Sequence, residues 1–155
     1  MKYIAYGSNM SAEHMALRCP GAKLLGVGHI NNARLEFYTH ATVIKTEDYR
    51  YRVPVAVWEI NKSDEHALDL YEGVPVYYSK ETWSVEMRDL SQIRGMIYIM
   101  KLFRKQPPSS IYYRNIGKAY KKLGLESEIE TVLKPALERS MYRSSKASSR
   151  RIFPN

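Results

Sequence analysis

Three short segments of the chain place side chains capable of chemistry next to glycine or proline. The first is Tyr6-Gly7-Ser8-Asn9. Glycine allows a sharp turn with positive φ. Successive backbone N–H groups in such a turn can converge on an anion or a polarised carbonyl. Ser8 and Asn9 add short side-chain donors, although Gly-Ser-Asn is also good turn chemistry with no ligand at all. The second segment is Leu68-Asp69-Leu70-Tyr71-Glu72-Gly73-Val74-Pro75. Glu72 falls at the end of a predicted helix, where the helix dipole disfavours a carboxylate. Partial burial among Tyr71, Tyr77 and Tyr78 would raise its pKa and suit it to proton transfer near neutral pH. The plainer alternative is an exposed helix-end glutamate, since most glutamates lie on the surface. The third segment is Pro107-Pro108-Ser109-Ser110-Ile111-Tyr112, a turn followed by a helix start. Tyr112 reads either as core or as a hydroxyl offered to a site.

Other chemistries find no pattern. His14, His29, His40 and His66 lie on separate predicted elements, and no pair has a ligand-like spacing with a third ligand nearby. Cys19, beside Pro20, reads as a buried helix-end thiol. The Gly-x-Ser-x-Gly elbow of serine hydrolases and the Walker phosphate loop are both absent.

The elements that must position these residues follow from periodicity. Lys2 to Tyr6 reads as a buried strand ending at Gly7. Ser11 caps a helix over 12–18, which Cys19-Pro20-Gly21 stops. Ala22 to Ile30 reads as a strand with a bend or bulge at Gly26 or Gly28. Arg34 to His40 alternates like a half-buried strand, and Glu47 to Arg52 is a polar loop. Val53 to Ile60 is a strong strand. Ser63 or Asp64 caps a helix that Gly73 and Pro75 end. Tyr77 to Glu86 and Gly95 to Leu102 are two further strands. Ser109 or Ser110 caps a helix ending near Gly124, and a last helix over 128–139 carries an awkward Pro135. This irregular mixture favours an α+β fold over a doubly wound one.

The 155 residues suit one domain. No stretch approaches the ~20 apolar residues that span a bilayer. The N-terminal apolar run is too short for an export signal, and one cysteine rules out an internal disulfide, so a cytoplasmic setting is expected. The net charge of +8 is concentrated near the end. Arg139, Arg143, Lys146, Arg150 and Arg151 share a segment with no acid. We read 1–138 as the folded domain and 139–155 as a basic tail. Such a tail can bind nucleic acid or an anionic surface, but no nucleic-acid recognition module accompanies it. A solvated terminus is the preferred reading.

The three segments together resemble the γ-glutamylcyclotransferase family, which includes the cyclotransferase of butirosin biosynthesis. Tyr3 to Met10 is similar to the family's N-terminal signature. Leu68-Asp69 with Glu72-Gly73-Val74 resembles the segment bearing its catalytic glutamate. Pro107-Pro108-Ser109, Tyr112 and Gly124-Leu125 resemble a third block. The ordered set spans residues 1 to 125. The resemblance implies an α+β domain whose mixed sheet forms a small barrel-like core flanked by helices. It also implies conversion of a small-molecule γ-glutamyl amide to 5-oxoproline and a free amine, with no metal or organic cofactor. Glu72 would be the general acid/base. Tyr6, Gly7, Ser8, Asn9 and Met10 would grip the substrate, with Tyr78 and Tyr112 lining the site. Whether Tyr77 or Tyr78 faces it stays open. The alternative is a non-catalytic ligand-binding module that keeps the fold, and the presence of Glu72 argues against it.

Overall fold

A computed structural model describes residues 1–101 and 104–150, with side chains described as far as Tyr142 apart from those of 102 and 103. Five strands close a barrel in the order β1-β5-β2-β6-β7. These are β1 (Lys2–Ala5), β2 (Lys23–Asn31), β5 (Arg52–Glu59), β6 (Tyr78–Met87) and β7 (Gln92–Met100). Every neighbouring pair is antiparallel except β1 and β7, which run parallel with Tyr3 opposite Met96. The sheet is therefore mixed, and closure leaves its strands no free edge. β3 (Ala33–Tyr38) and β4 (His40–Lys45) form a separate hairpin. Helices α1 (Ala12–Arg18), α2 (Lys62–Glu72), α3 (Ser110–Lys122) and α4 (Lys134–Arg150) flank the barrel. The expected α+β barrel is the observed fold.

The sequence explains most of these elements. Val53, Val55, Ala56 and Val57 are fully buried, so β5 has core on both faces and reads as a continuous apolar run. The bulge expected in β2 falls between Leu24 and Gly26, where Gly26 takes φ 154°. At Gly28 an added Cβ would lie 2.6 Å from the Glu86 carbonyl, so glycine lets β2 and β6 cross closely.

Local details differ from expectation in several places. Residues 40–45 form β4, because Thr39 turns the chain at φ 69°, a conformation that a β-branched residue does not signal. The cap of α2 is Asn61, whose side chain accepts from the Asp64 N–H at 2.8 Å while Asp64 accepts from the Asn61 N–H. β7 starts earlier, at Gln92, and the end expected for it, Leu102, lies outside the described residues. Gly7 has φ −122° and ψ −133°, not a positive φ. The final helix begins with a π turn at Ile129–Leu133, which seats Pro135 in the first turn of α4, where its missing N–H is harmless. Helix α4 runs on past Arg139, whose Nη2 donates to the Leu35 carbonyl at 2.8 Å. Of the other basic residues assigned to the tail, Arg143, Lys146 and Arg150 have only their backbone described, and Arg151 lies outside the described residues.

Candidate active site

A cavity of about 800 Å³ opens at one end of the barrel. Three walls meet there: the turn after β1, the end of α2, and the hairpin β3–β4 with the start of α3.

The first wall is Tyr6 to Asn9. Tyr6 is buried, and its hydroxyl donates to the Tyr98 carbonyl. Gly7 accepts from the Met10 N–H at 3.0 Å, which starts a tight 3-10 turn over Ser8–Met10. The N–H groups that head such a turn have no partner within it. An added Cβ on Gly7 would crowd the Tyr112 hydroxyl at 3.2 Å. Asn9 is buried, and it makes three polar contacts within the protein. Its Nδ2 donates to the Tyr3 hydroxyl at 2.9 Å, its Oδ1 accepts from Arg18, and its carbonyl accepts from the Trp58 indole at 3.0 Å. Its side chain holds the turn in shape. Met10 does not line the cavity; it is 1% exposed and packs in the core.

The second wall carries Glu72, the last residue of α2, where Gly73 caps the helix in the left-handed region. Glu72 is half-buried and lines the cavity, and among the described residues no protein donor hydrogen-bonds it. Burial pushes its pKa from the usual 4.5 up to about 7, against the opposing charge of Arg18. One turn earlier, Asp69 anchors the helix. It accepts from the Tyr98 hydroxyl at 2.6 Å on β7 and from Lys80 at 2.9 Å on β6. The carboxylate at the helix end is thus held against the barrel by the carboxylate three residues before it.

The third wall carries Tyr112 on α3 and meets Tyr78 at the start of β6. The Tyr78 hydroxyl donates to the Ala41 carbonyl at 3.2 Å, and the Tyr112 hydroxyl accepts the Ala41 N–H at 3.0 Å. Tyr78 is buried in the inner wall. Tyr77 also lines the cavity, but at the rim, 58% exposed, with its ring packed on Gly73. Burial drives the hydroxyls of Tyr3, Tyr6, Tyr78, Tyr98 and Tyr112 well above their usual range, and the nearby Glu72 charge adds to the rise. All five stay protonated. Tyr38, Thr39, His40, Arg104 and Gln106 line the outer mouth.

Tyr6, Gly7, Ser8, Asn9, Glu72, Tyr78 and Tyr112 therefore line one cavity, and Met10 does not. Sequence reading missed Tyr3, Tyr98, Asp69 and Arg18, and also the mouth residues on the unrecognised hairpin. Tyr3 and Asp69 fall within the segments that carry the family resemblance, but neither is singled out there as a site residue. The Cys19 thiol is buried, which pushes its pKa up to about 11. Among the described residues no cluster of three or more histidines, cysteines or carboxylates forms a metal cage. No helix among them is long and apolar enough to cross a membrane.

Comparison with known proteins agrees with this geometry. The chain is 32% identical to the γ-glutamylcyclotransferase of Mus musculus, with 91% of this chain and 80% of the mouse protein covered. It is 30% identical to that of Homo sapiens, covering 90% and 80%. A solved γ-glutamyl cyclotransferase structure superposes with a TM-score of 0.77 at 30% identity, over 86% of this chain and 85% of the other. A structure of YkqA from Bacillus subtilis, 16% identical with a TM-score of 0.68 over 84% of this chain and 53% of that one, shares the fold. The family model described as γ-glutamyl cyclotransferase, AIG2-like, matches residues 3–115, a span that takes in all three walls of the cavity, and the chain belongs to that family.

Proposed function

We propose that this protein releases 5-oxoproline and a free amine from a γ-glutamyl amide, with Glu72 as its general acid and base. One observation carries the reading. A half-buried carboxylate with a pKa near 7 faces the Tyr6–Asn9 turn across a cavity large enough for a small peptide. Such a group accepts and returns a proton at neutral pH.

The substrate supplies its own nucleophile. Its α-ammonium gives a proton to ionised Glu72, and the freed amine attacks the γ-carbonyl carbon. A five-membered ring closes, and negative charge develops on the carbonyl oxygen. Backbone N–H groups heading the Ser8 turn are suited to stabilise that charge. As the C–N bond to the leaving amine breaks, protonated Glu72 gives its proton to the departing nitrogen, and the ring nitrogen passes its second proton to the carboxylate so freed, leaving the neutral lactam. The protein must also hold the substrate bent, with the amine near the carbonyl. The closed wall of Tyr6, Tyr78 and Tyr112 serves that purpose; Tyr6 and Tyr78 spend their hydroxyl protons on backbone carbonyls, while the Tyr112 hydroxyl, which accepts from Ala41, has its proton to donate. The outer mouth takes the leaving amine. The reading needs no metal or organic cofactor and no macromolecular partner. A cytoplasmic setting suits a chain whose single cysteine is a buried free thiol.

The test is 5-oxoproline release from a panel of γ-glutamyl amino acids and amines, wild type beside Glu72→Gln. Release by the wild type that disappears in a folded Glu72→Gln variant supports the assignment. Full activity in that variant removes Glu72 from the mechanism.

A further inference from the structure

Arg18 ends helix α1 and is half-buried outside the cavity lining. Its guanidinium nevertheless reaches both functional walls. Nη1 donates to the Asn9 side-chain carbonyl and lies 3.5 Å from the Ser8 hydroxyl. Nη2 donates to the Tyr71 hydroxyl at 2.6 Å, and the guanidinium carbon sits 3.7 Å from the centre of the Tyr71 ring. Tyr71 immediately precedes Glu72 on α2. The two walls otherwise belong to elements far apart in sequence.

We propose that Arg18 is a positioning residue: its fork ties the Ser8–Asn9 turn to Tyr71 and so fixes the distance between the substrate-gripping turn and Glu72. The proposal rests on the assignment of Glu72 as the acid/base. Two properties of arginine matter separately. The planar fork engages two elements at once, which a lysine ammonium on a flexible stem does not do. The fixed positive charge acts on Glu72. Tyr3, Tyr6, Tyr78, Tyr98 and Tyr112 surround that carboxylate and are neutral, and Asp69 on the same helix is engaged by Tyr98 and Lys80. Arg18 is the charge that opposes burial there. It therefore favours the ionised form that accepts the first proton.

Arg18→Lys and Arg18→Gln separate the two effects. For each, kcat and KM for 5-oxoproline release are measured from about pH 5 to about pH 9. Wild type and Glu72→Gln run alongside, and thermal melting reports the folded fraction. Lysine keeps the charge and loses the fork. We expect kcat/KM to fall roughly 10- to 100-fold, as for a small misplacement of reacting groups, with the acidic limb of the profile in place. Glutamine loses both, so the limb should also move to higher pH. A residue that only supports folding would lower the folded fraction without moving the limb. Wild-type kcat/KM per folded molecule in Arg18→Lys, or an unmoved limb in folded Arg18→Gln, overturns the proposal. If Arg18→Gln does not fold, Arg18→Lys decides by kcat/KM alone. Activity retained in Glu72→Gln instead overturns the acid/base assignment, so the two failures are distinct.

Discussion

Tyr78 and Tyr112 grip the same peptide unit region from opposite sides: one hydroxyl donates to the Ala41 carbonyl and the other accepts the Ala41 N–H. Ala41 is 2% exposed, so its N–H depends on that partner. Tyr112→Phe leaves a buried donor unpaired and should cost about 1–3 kcal/mol in urea unfolding. Tyr78→Phe strips one acceptor contact from a carbonyl with two lone pairs and should cost less. Equal costs would show that the cavity supplies water to both groups.

Gly7 lies against the same tyrosine. A methyl there would sit 3.2 Å from the Tyr112 hydroxyl and 3.5 Å from the Ala41 side chain. Gly7→Ala should therefore push Tyr112 out of place and distort the turn. We expect kcat/KM to fall at least tenfold, to be read beside the melting temperature in steady-state assays. An unchanged kcat/KM would mean that the turn contributes nothing to catalysis.

The raised pKa of Glu72 sets two pH dependences. Ionised Glu72 takes the first proton, so activity should rise with pH through a midpoint near 7. Stability runs the other way. The folded state holds the proton up to about pH 7, while the unfolded chain releases it near 4.5. The stability this group contributes is complete below 4.5 and lost as pH rises through 7. Glu72→Gln does not titrate. It should melt above the wild type at pH 8, with the gap closing as pH falls toward 4.5. Melting scans across that range test the sign directly.

Glu36 is fully buried on the hairpin, with Arg34 at 2.5 Å, Lys105 at 2.6 Å and Arg139 at 3.4 Å. The approach of Arg34 and Arg139 is poorly aligned for hydrogen bonding, so charge holds the cluster. Glu36→Gln would leave three cations facing one another. A loss of about 3–5 kcal/mol is expected. Because the carboxylate is buried, added salt should change the loss little. Denaturant unfolding at low and high salt measures both.

Glu72 was legible because its setting is local: a helix read from its periodicity, stopped by Gly73 at the glutamate itself. The barrel strands were legible for a similar reason, since Val53 to Val57 is a dense β-branched run. The sequence suggests a positive φ at Gly7, but its φ is −122° and what glycine relieves there is crowding against Tyr112, which arrives from α3. Asn9 reads from the sequence as a donor for a ligand; its ties to Tyr3, Arg18 and Trp58 give it a structural part that no local pattern signals. Arg18 itself gave no sign, since its partners come from two other elements. Arg139 looked like a tail charge because Glu36, its distant partner, is buried only once the hairpin folds. Each of these contacts joins two separate elements, which no local pattern reports.

The parallel pairing of β1 with β7 has a consequence for biosynthesis. Tyr3 emerges from the ribosome long before Met96, its neighbour in the barrel. The turn that follows β1 therefore waits, without its final support, until β7 has been made. Such long-range closure is slow. A chain stopped before β7 would hold both Glu72 and the Tyr6–Asn9 turn yet lack the strand that brings the barrel around them. Cyclising activity should appear late in synthesis and all at once.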